Sequence, residues 1–405
     1  MPTRGLVILL ALLILELGPA ARAADPPKPV KVFVLAGQSN MEGQAVADLE
    51  GKDYNDGKGT LKALLNDPVK APLVKHLRTE KGAWTVRDDV WVRYKREKQP
   101  LLAGPLTIGF AVYGGKHHFG PELQFGHIVG DHFTEQVLLV KTAWGGKSLS
   151  KDFRPPSSGG AVGPYYTKMI AEVREALANL KTDFPQYADQ GHELAGFAWY
   201  HGWNDGVDPK KAVPEYERNL VNLINDVRKE FKTPNLPVVI GELTGPWVDA
   251  PGKWAALRKA QAAAAARPEF RGNVLFVPTR DFVRPAKESP NPTHGHHEFG
   301  NAETYFLVGD ALGKRMVELL TPQLKEQPAH DRGKDKPEAE TKKSFKVDRY
   351  LAVEINAPLA SDWSVEATPA PATHSAREQA RRTRYDHEGQ PFHRVDDSRT
   401  LIELF

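Results

Sequence analysis

From Val30 onward the chain alternates between two hydrophobic rhythms. Short, nearly unbroken apolar runs occur at Val30–Ala36, Gln136–Thr142 (QVLLVKT), Leu194–Tyr200 (LAGFAWY), Leu236–Gly241 (LPVVIG) and Asn273–Pro278 (NVLFVP). Runs of this length predict strands buried on both faces. Between them, apolar residues recur every three or four positions in Tyr165–Leu180, Pro214–Phe231, Lys253–Ala266 and Ala302–Leu320. In Pro214–Phe231, Tyr216, Leu220, Leu223, Ile224 and Val227 share one helical face, and Pro214 suits a first turn. Buried strands alternating with such helices predict an α/β fold: a doubly wound parallel sheet in three α/β/α layers, over about residues 28–320.

Three stretches break the rhythm. At the N-terminus, Arg4 precedes the apolar run Leu6–Leu15, and Ala21-Arg22-Ala23 supplies small residues for cleavage. This is the pattern of a signal peptide over residues 1–23, so export to the periplasm or the exterior is expected. The run is too short for a membrane span, and no stable membrane partner is expected. About residues 50–130 form an insertion rich in Lys, Asp and Gly, in which Val90–Tyr94 alternates like a hairpin or sheet edge. Residues 322–405 read as a low-complexity, largely disordered tail, with one strand-like run at Tyr350–Ile355. The catalytic domain is therefore expected over residues 24–321.

Composition narrows the chemistry. The 405 residues carry 54 Lys and Arg against 51 Asp and Glu, a net charge of +3 that gives no footprint for nucleic acid. There is no cysteine, which excludes disulfides, thiol nucleophiles and cysteine-held metals. A nucleophile must then be oxygen or nitrogen, and a metal would need His and carboxylates.

The candidates for such chemistry follow predicted strands, where doubly wound sheets bind their ligands. Gly37-Gln38-Ser39-Asn40-Met41 follows the first strand, so Ser39 can present a hydroxyl, or merely cap a helix. Trp144-Gly145-Gly146-Lys147-Ser148-Leu149 follows the second, and paired glycines can expose peptide N–H groups to an anion. His201-Gly202-Trp203-Asn204-Asp205 follows the third, with the Asn204 amide a neutral donor. A serine nucleophile needs a base, and His294, His296 and His297 lie together just before the last helix. The same cluster with Glu298 has a rival reading as a metal site, although its spacing is not that of a helical zinc motif. Trp84, Trp91, Tyr113, Trp144, Trp203 and Trp247 are aromatic residues that could stack on sugar or simply pack.

Gly37-Gln38-Ser39-Asn40-Met41, the glycine block and Gly202-Trp203-Asn204-Asp205 together resemble the SGNH hydrolases. The likeness is to their sialate O-acetylesterase-like and acetylxylan esterase-like carbohydrate esterases. Phe119-Gly120-Pro121-Glu122-Leu123 resembles a further segment of that subfamily. The resemblance runs from Val32 to about Met316 and implies a flavodoxin-like SGNH-hydrolase domain. It implies Ser39 as nucleophile, with the Ser39 and Gly146 N–H groups and the Asn204 side chain as oxyanion hole. His297 is implied as base, because His297 to Glu303 resembles the family's last block; His296 is the reserve. The family's Asp-x-x-His is not present, so Asp281 or Glu298 would orient the imidazole, or a backbone carbonyl would assist a Ser–His dyad. Gln38, Glu122, His201 and Trp203 are the residues assigned to substrate.

The expected function is a secreted serine esterase that removes O-acetyl groups from carbohydrate through an acetyl-serine intermediate, without cofactor or metal. The alternatives are a catalytically weakened carbohydrate-binding protein on the same fold, and a His/Glu metal-dependent hydrolase.

Overall fold

A computed structural model describes residues 28–321 except 114, 188 and 246–251, together with four short strands beyond residue 342. The expected leader and Trp247 lie outside the described residues. The chain divides into two units, residues 1–323 and 324–405.

Among the described residues the first unit contains nine strands: β1 (Val30–Gly37), β2 (Ala45–Val46), β3 (Arg87–Lys95), β4 (Leu101–Leu106), β5 (His118–Phe119), β6 (Val137–Ala143), β7 (His192–Tyr200), β8 (Val238–Gly241) and β9 (Val274–Val277). Its helices are α1 (Ser39–Glu42), α2 (Leu61–Asn66), α3 (Ala71–Val74), α4 (Glu122–His132), α5 (Pro164–Ala178), α6 (Leu180–Asp183), α7 (Trp203–Gly206), α8 (Ala212–Glu230), α9 (Lys253–Ala265) and α10 (Ala302–Leu320). Seven strands form one sheet in the order β4-β3-β6-β1-β7-β8-β9. All neighbours are parallel, as expected, except the edge pair β3 and β4, which makes the seven-stranded sheet mixed. The antiparallel pair comes from the insertion, whose Val90–Tyr94 run extends the main sheet beside β6.

Side chains alternate across β1 and bury both ways. Val30, Val32, Val34 and Ala36 pack in a cluster with Tyr166, Met169 and Ile170 of α5 and Leu220, Leu223 and Ile224 of α8. Phe33 and Leu35 join the opposite cluster, with Leu123 and Phe125 of α4 and Tyr305 and Leu312 of α10. Two apolar faces explain why β1 reads as a continuous apolar run, and each such side chain contributes about 1.5–3 kcal/mol. The α8 stripe anticipated from Tyr216 to Val227 is buried throughout. Helix α4 lacked a sequence signal because Gly126 and Gly130 dilute its period. Those two glycines let it lie against Leu106, Leu139 and Val90: an added Cβ would meet a Leu106 carbon (at Gly126) or a Val90 carbon (at Gly130) at 2.5 Å.

In the second unit, β10 (Lys343–Lys346) pairs with β12 (Trp363–Glu366), and β11 (Val353–Ile355) pairs with β13 (Thr400–Ile402). β11 is the C-terminal part of the run expected to be a strand; the other three had no pattern to announce them. Among the described residues no helix is long and apolar enough to cross a membrane.

Candidate active site

The central position of β1 makes the site. Its partners are β6 on one side and β7 on the other, and their registers end level: Gly37 is opposite Ala143 and opposite Tyr200. The three loops that leave these strands therefore start side by side. Gly37 has φ +155°, and a Cβ there would sit 2.2 Å from the Tyr200 carbonyl oxygen, so only glycine allows β1 and β7 to close so tightly. Ser39 then opens the single turn α1, 7% exposed.

Gln38 joins the first loop to the third. The Gly202 N–H donates to Gln38 Oε1 at 2.9 Å, and Gln38 Nε2 donates to Asn204 Oδ1 at 3.4 Å. With Oδ1 engaged, the Asn204 Nδ2 group makes no hydrogen bond among the described residues. Gln38 is 2% exposed and held at both ends, so it positions Asn204 more than it contacts a ligand.

Asp205 joins the third loop to the second. The N–H groups of Leu149 and Ser150 donate to its carboxylate at 2.7 and 2.9 Å. Burial raises the Asp205 pKa to about 6 against the pull of those N–H groups. The two glycines of the second loop differ. The Gly145 N–H lies against the Glu42 carboxylate and helps to hold its pKa down, although burial still raises it overall. Gly146, with φ +73°, is exposed, and its N–H makes no hydrogen bond among the described residues. Neither does the Ser39 N–H. Ser39, Gly146 and Asn204 thus keep three uncommitted donors around one strand end.

The fourth loop, before α10, brings the histidines. Asn40 Nδ2 donates to Glu298 Oε1 at 3.1 Å, and the Tyr305 hydroxyl lies 2.8 Å from Asn40 Oδ1 and 3.2 Å from the His297 carbonyl. The neighbour of Ser39 is thereby tied to the neighbours of His297. The Asn301 side chain caps α10 by accepting the Glu303 and Thr304 N–H groups, which fixes where the loop ends. The His296 ring lies 4.1 Å from that of His297 and 5.8 Å from the Trp203 indole. Trp203, assigned to substrate, is therefore beside the histidine cluster. Burial, then the charges of His296 and His294, lower the His297 pKa to about 4. Ser39 Oγ and the His297 ring nitrogens make no hydrogen bond among the described residues. A cavity of about 300 Å³ opens beside His297.

Three assigned roles do not survive the geometry. Glu122 is fully buried: its carboxylate takes a 2.7 Å bond from Lys141 Nζ and a 2.9 Å bond from the Gly120 N–H, leaving nothing for a substrate. His201 is 1% exposed, and burial lowers its pKa to about 3. Its Nε2–H donates to the Lys147 carbonyl at 2.9 Å, which leaves Nδ1 to accept from the Tyr216 hydroxyl at 3.1 Å. It supports the glycine loop through the Lys147 carbonyl and has no ring nitrogen free for a substrate. Asp281 sits in a short 3-10 turn after β9, exposed, and its carboxylate bonds no imidazole. Glu298, the other acidic candidate, is 1% exposed and gives its Oε1 to Asn40 and Thr244 instead. Burial raises its pKa well above the carboxylate range, against the Arg258 charge. Among the described residues no three His, Asp or Glu side chains are grouped to hold an ion.

Some supporting residues had gone unnoticed. Lys141, fully buried, donates to the Glu42 and Phe110 carbonyls, each at 2.6 Å, as well as to Glu122. Three acceptors at such distances call for the three donors of an ammonium. Burial pushes Glu122 up and Lys141 down while each charge holds the other. A lysine inside the apolar QVLLVKT run was the available signal, because a buried charge demands a partner. Asn40 stood in the Ser39 motif itself, and Glu42, whose carboxylate accepts the Tyr94 hydroxyl at 2.8 Å, directly follows it.

A family model described as carbohydrate esterase, sialic acid-specific acetylesterase matches residues 29–305. The chain belongs to this family. As a member of these carbohydrate esterases it is a carboxylic ester hydrolase, and its mixed seven-stranded α/β sheet carries the family's matched region. A comparison with curated proteins gives no match. Among solved structures, one similar chain is a protein from Arabidopsis thaliana, at 16% identity and TM-score 0.45, covering 72% of this chain and 99% of the other. Another is a carbohydrate acetylesterase from Xanthomonas citri, at 17% identity and TM-score 0.43, covering 71% of this chain and 56% of that one. A third is NanS, at 13% identity and TM-score 0.41, covering 73% and 98%.

Proposed function

We propose that this carbohydrate esterase is an exported serine enzyme that removes O-acetyl groups from sugar through an acetyl-Ser39 intermediate. The observation that carries the reading is the set of uncommitted donors on Ser39, Gly146 and Asn204, locked around one strand end by Gln38 and Asp205. Ser39 Oγ attacks the acetyl carbonyl carbon, and the neutral His297 imidazole takes its proton. The three donors stabilise the oxyanion, each worth about a hundred- to a thousandfold in rate. Collapse expels the sugar oxygen, which takes the proton from His297. Water, deprotonated by the same imidazole, then releases acetate and regenerates Ser39. Export rests on the leader-like pattern of residues 1–23.

Hydrolysis of a chromogenic acetate ester tests the mechanism. Ser39→Ala should lower kcat on the order of 10⁴-fold or more; an unchanged rate would sink the assignment. One observation favours a second reading, a weakened carbohydrate-binding protein: no carboxylate bonds His297 among the described residues. An organophosphate separates the two, since labelling at Ser39 requires an activated hydroxyl.

A further inference from the structure

The cavity beside His297 is built by two distant parts of the chain. Gln44, Tyr54, Tyr113 and His118 line it from the segment after α1 and the insertion, and Asn291, His294 and His297 line it from the loop before α10. Its volume of about 300 Å³ is at the small end for ligand sites.

Its polar groups are unusual in being unused. Gln44 is 4% exposed, yet its side-chain amide bonds nothing among the described residues. The Asn291 amide makes no hydrogen bond there either, and His118 Nδ1 is enclosed without a partner. Buried polar groups in folded proteins are nearly always paired, so the unpaired His118 Nδ1, beside two amides without a protein partner, points to a ligand rich in hydroxyls. The Tyr113 ring, 51% exposed, lies 4.9 Å from the His118 ring, and Tyr54 is half-buried. Such rings suit the C–H faces of a sugar.

Charge discriminates among sugars. Among the described residues neither lysine nor arginine lines the cavity. Burial holds His118 and His297, two of its three imidazoles, to about 4, so these two are neutral at pH 7. A carboxylate entering here would lose its hydration without a cation to receive it.

Resting on the esterase reading above, we propose that this cavity binds one uncharged pyranose ring of the acetylated substrate and disfavours a ring that carries a carboxylate. Gln44 and Asn291 pair with its hydroxyls, and Tyr113 covers one face. The ring's acetyl group is thereby held at the His297 side.

Calorimetric titration of Ser39→Ala protein reads binding without hydrolysis. An O-acetylated methyl pyranoside should bind at least tenfold more tightly than an O-acetylated sialic acid. Equal or inverted affinities, or no binding of either at millimolar concentration, would overturn the proposal. Tyr113→Ala, at a half-exposed position that leaves the core intact, should weaken the pyranoside at least fivefold; unchanged affinity counts against it. Gln44→Leu should act in the same direction. Hydrolysis of a small acetate ester by unmodified protein and by Ser39→Ala is scored separately. A serine-dependent rate combined with a sialate preference sinks the cavity assignment alone, whereas a rate independent of Ser39 sinks the esterase mechanism.

Discussion

His297 is the residue on which the proposed chemistry is most exposed to test. Burial depresses its pKa to about 4 from an ordinary 6.5, so the ring is neutral, and able to accept a proton, at every pH above about 4. The acid limb of kcat/KM should accordingly have its midpoint near pH 4, with little loss between pH 7 and 5.5. A midpoint near 6.5 would mean that the ring is solvated during catalysis, or that another group is the base. Asp281 offers a complementary test. Its exposed carboxylate reaches no imidazole, so Asp281→Ala should leave kcat/KM within about twofold, as surface substitutions usually do. A hundredfold loss would return Asp281 to the catalytic set. His201 illustrates why residue type alone misleads: both ring nitrogens are spent on Lys147 and Tyr216, so its effect on substrate passes through the glycine loop.

At the level of elements, the site is a consequence of strand order. β1 lies between β6 and β7, and loops from three adjacent parallel strands can share bonds that loops from separated strands could not. The buried Lys141–Glu122 pair steadies this arrangement, since Lys141 grips the end of α1 through the Glu42 carbonyl and α4 through Glu122. Removing one partner leaves the other charge buried and unpaired. Glu122→Ala should therefore cost about 3–5 kcal/mol in urea unfolding. Because the two side chains are in direct contact, Lys141→Met combined with Glu122→Ala should cost less than the sum of the single changes. Strict additivity would show that the pair is not coupled.

At the level of the molecule, every strand of the main sheet and every loop of the site lies within the first unit. A chain ending at Gln323 should thus hydrolyse a small acetate ester within about twofold of the full-length rate, an expectation based on its separate core. A tenfold loss would assign the second unit a part in the chemistry. Most of this sheet was legible beforehand, because strand and helix periods are local. The apolar runs at Val30, Gln136, Leu194, Leu236 and Asn273 match β1, β6, β7, β8 and β9 to within two residues at either end. The positions of Ser39, Gly146 and Asn204 followed directly, since each lies just beyond a strand. What could not be read was which polar side chains remain free. Glu122 is spent on Lys141, 19 residues away, and His201 on Lys147, 54 residues away. The lining of the cavity comes from segments nearly 250 residues apart in the chain, from Gln44 to Asn291. Hydrophobic period depends on neighbours a few positions away and survives in the sequence. Whether a buried polar group is satisfied by protein or left for a ligand depends on partners that only folding brings within hydrogen-bonding distance.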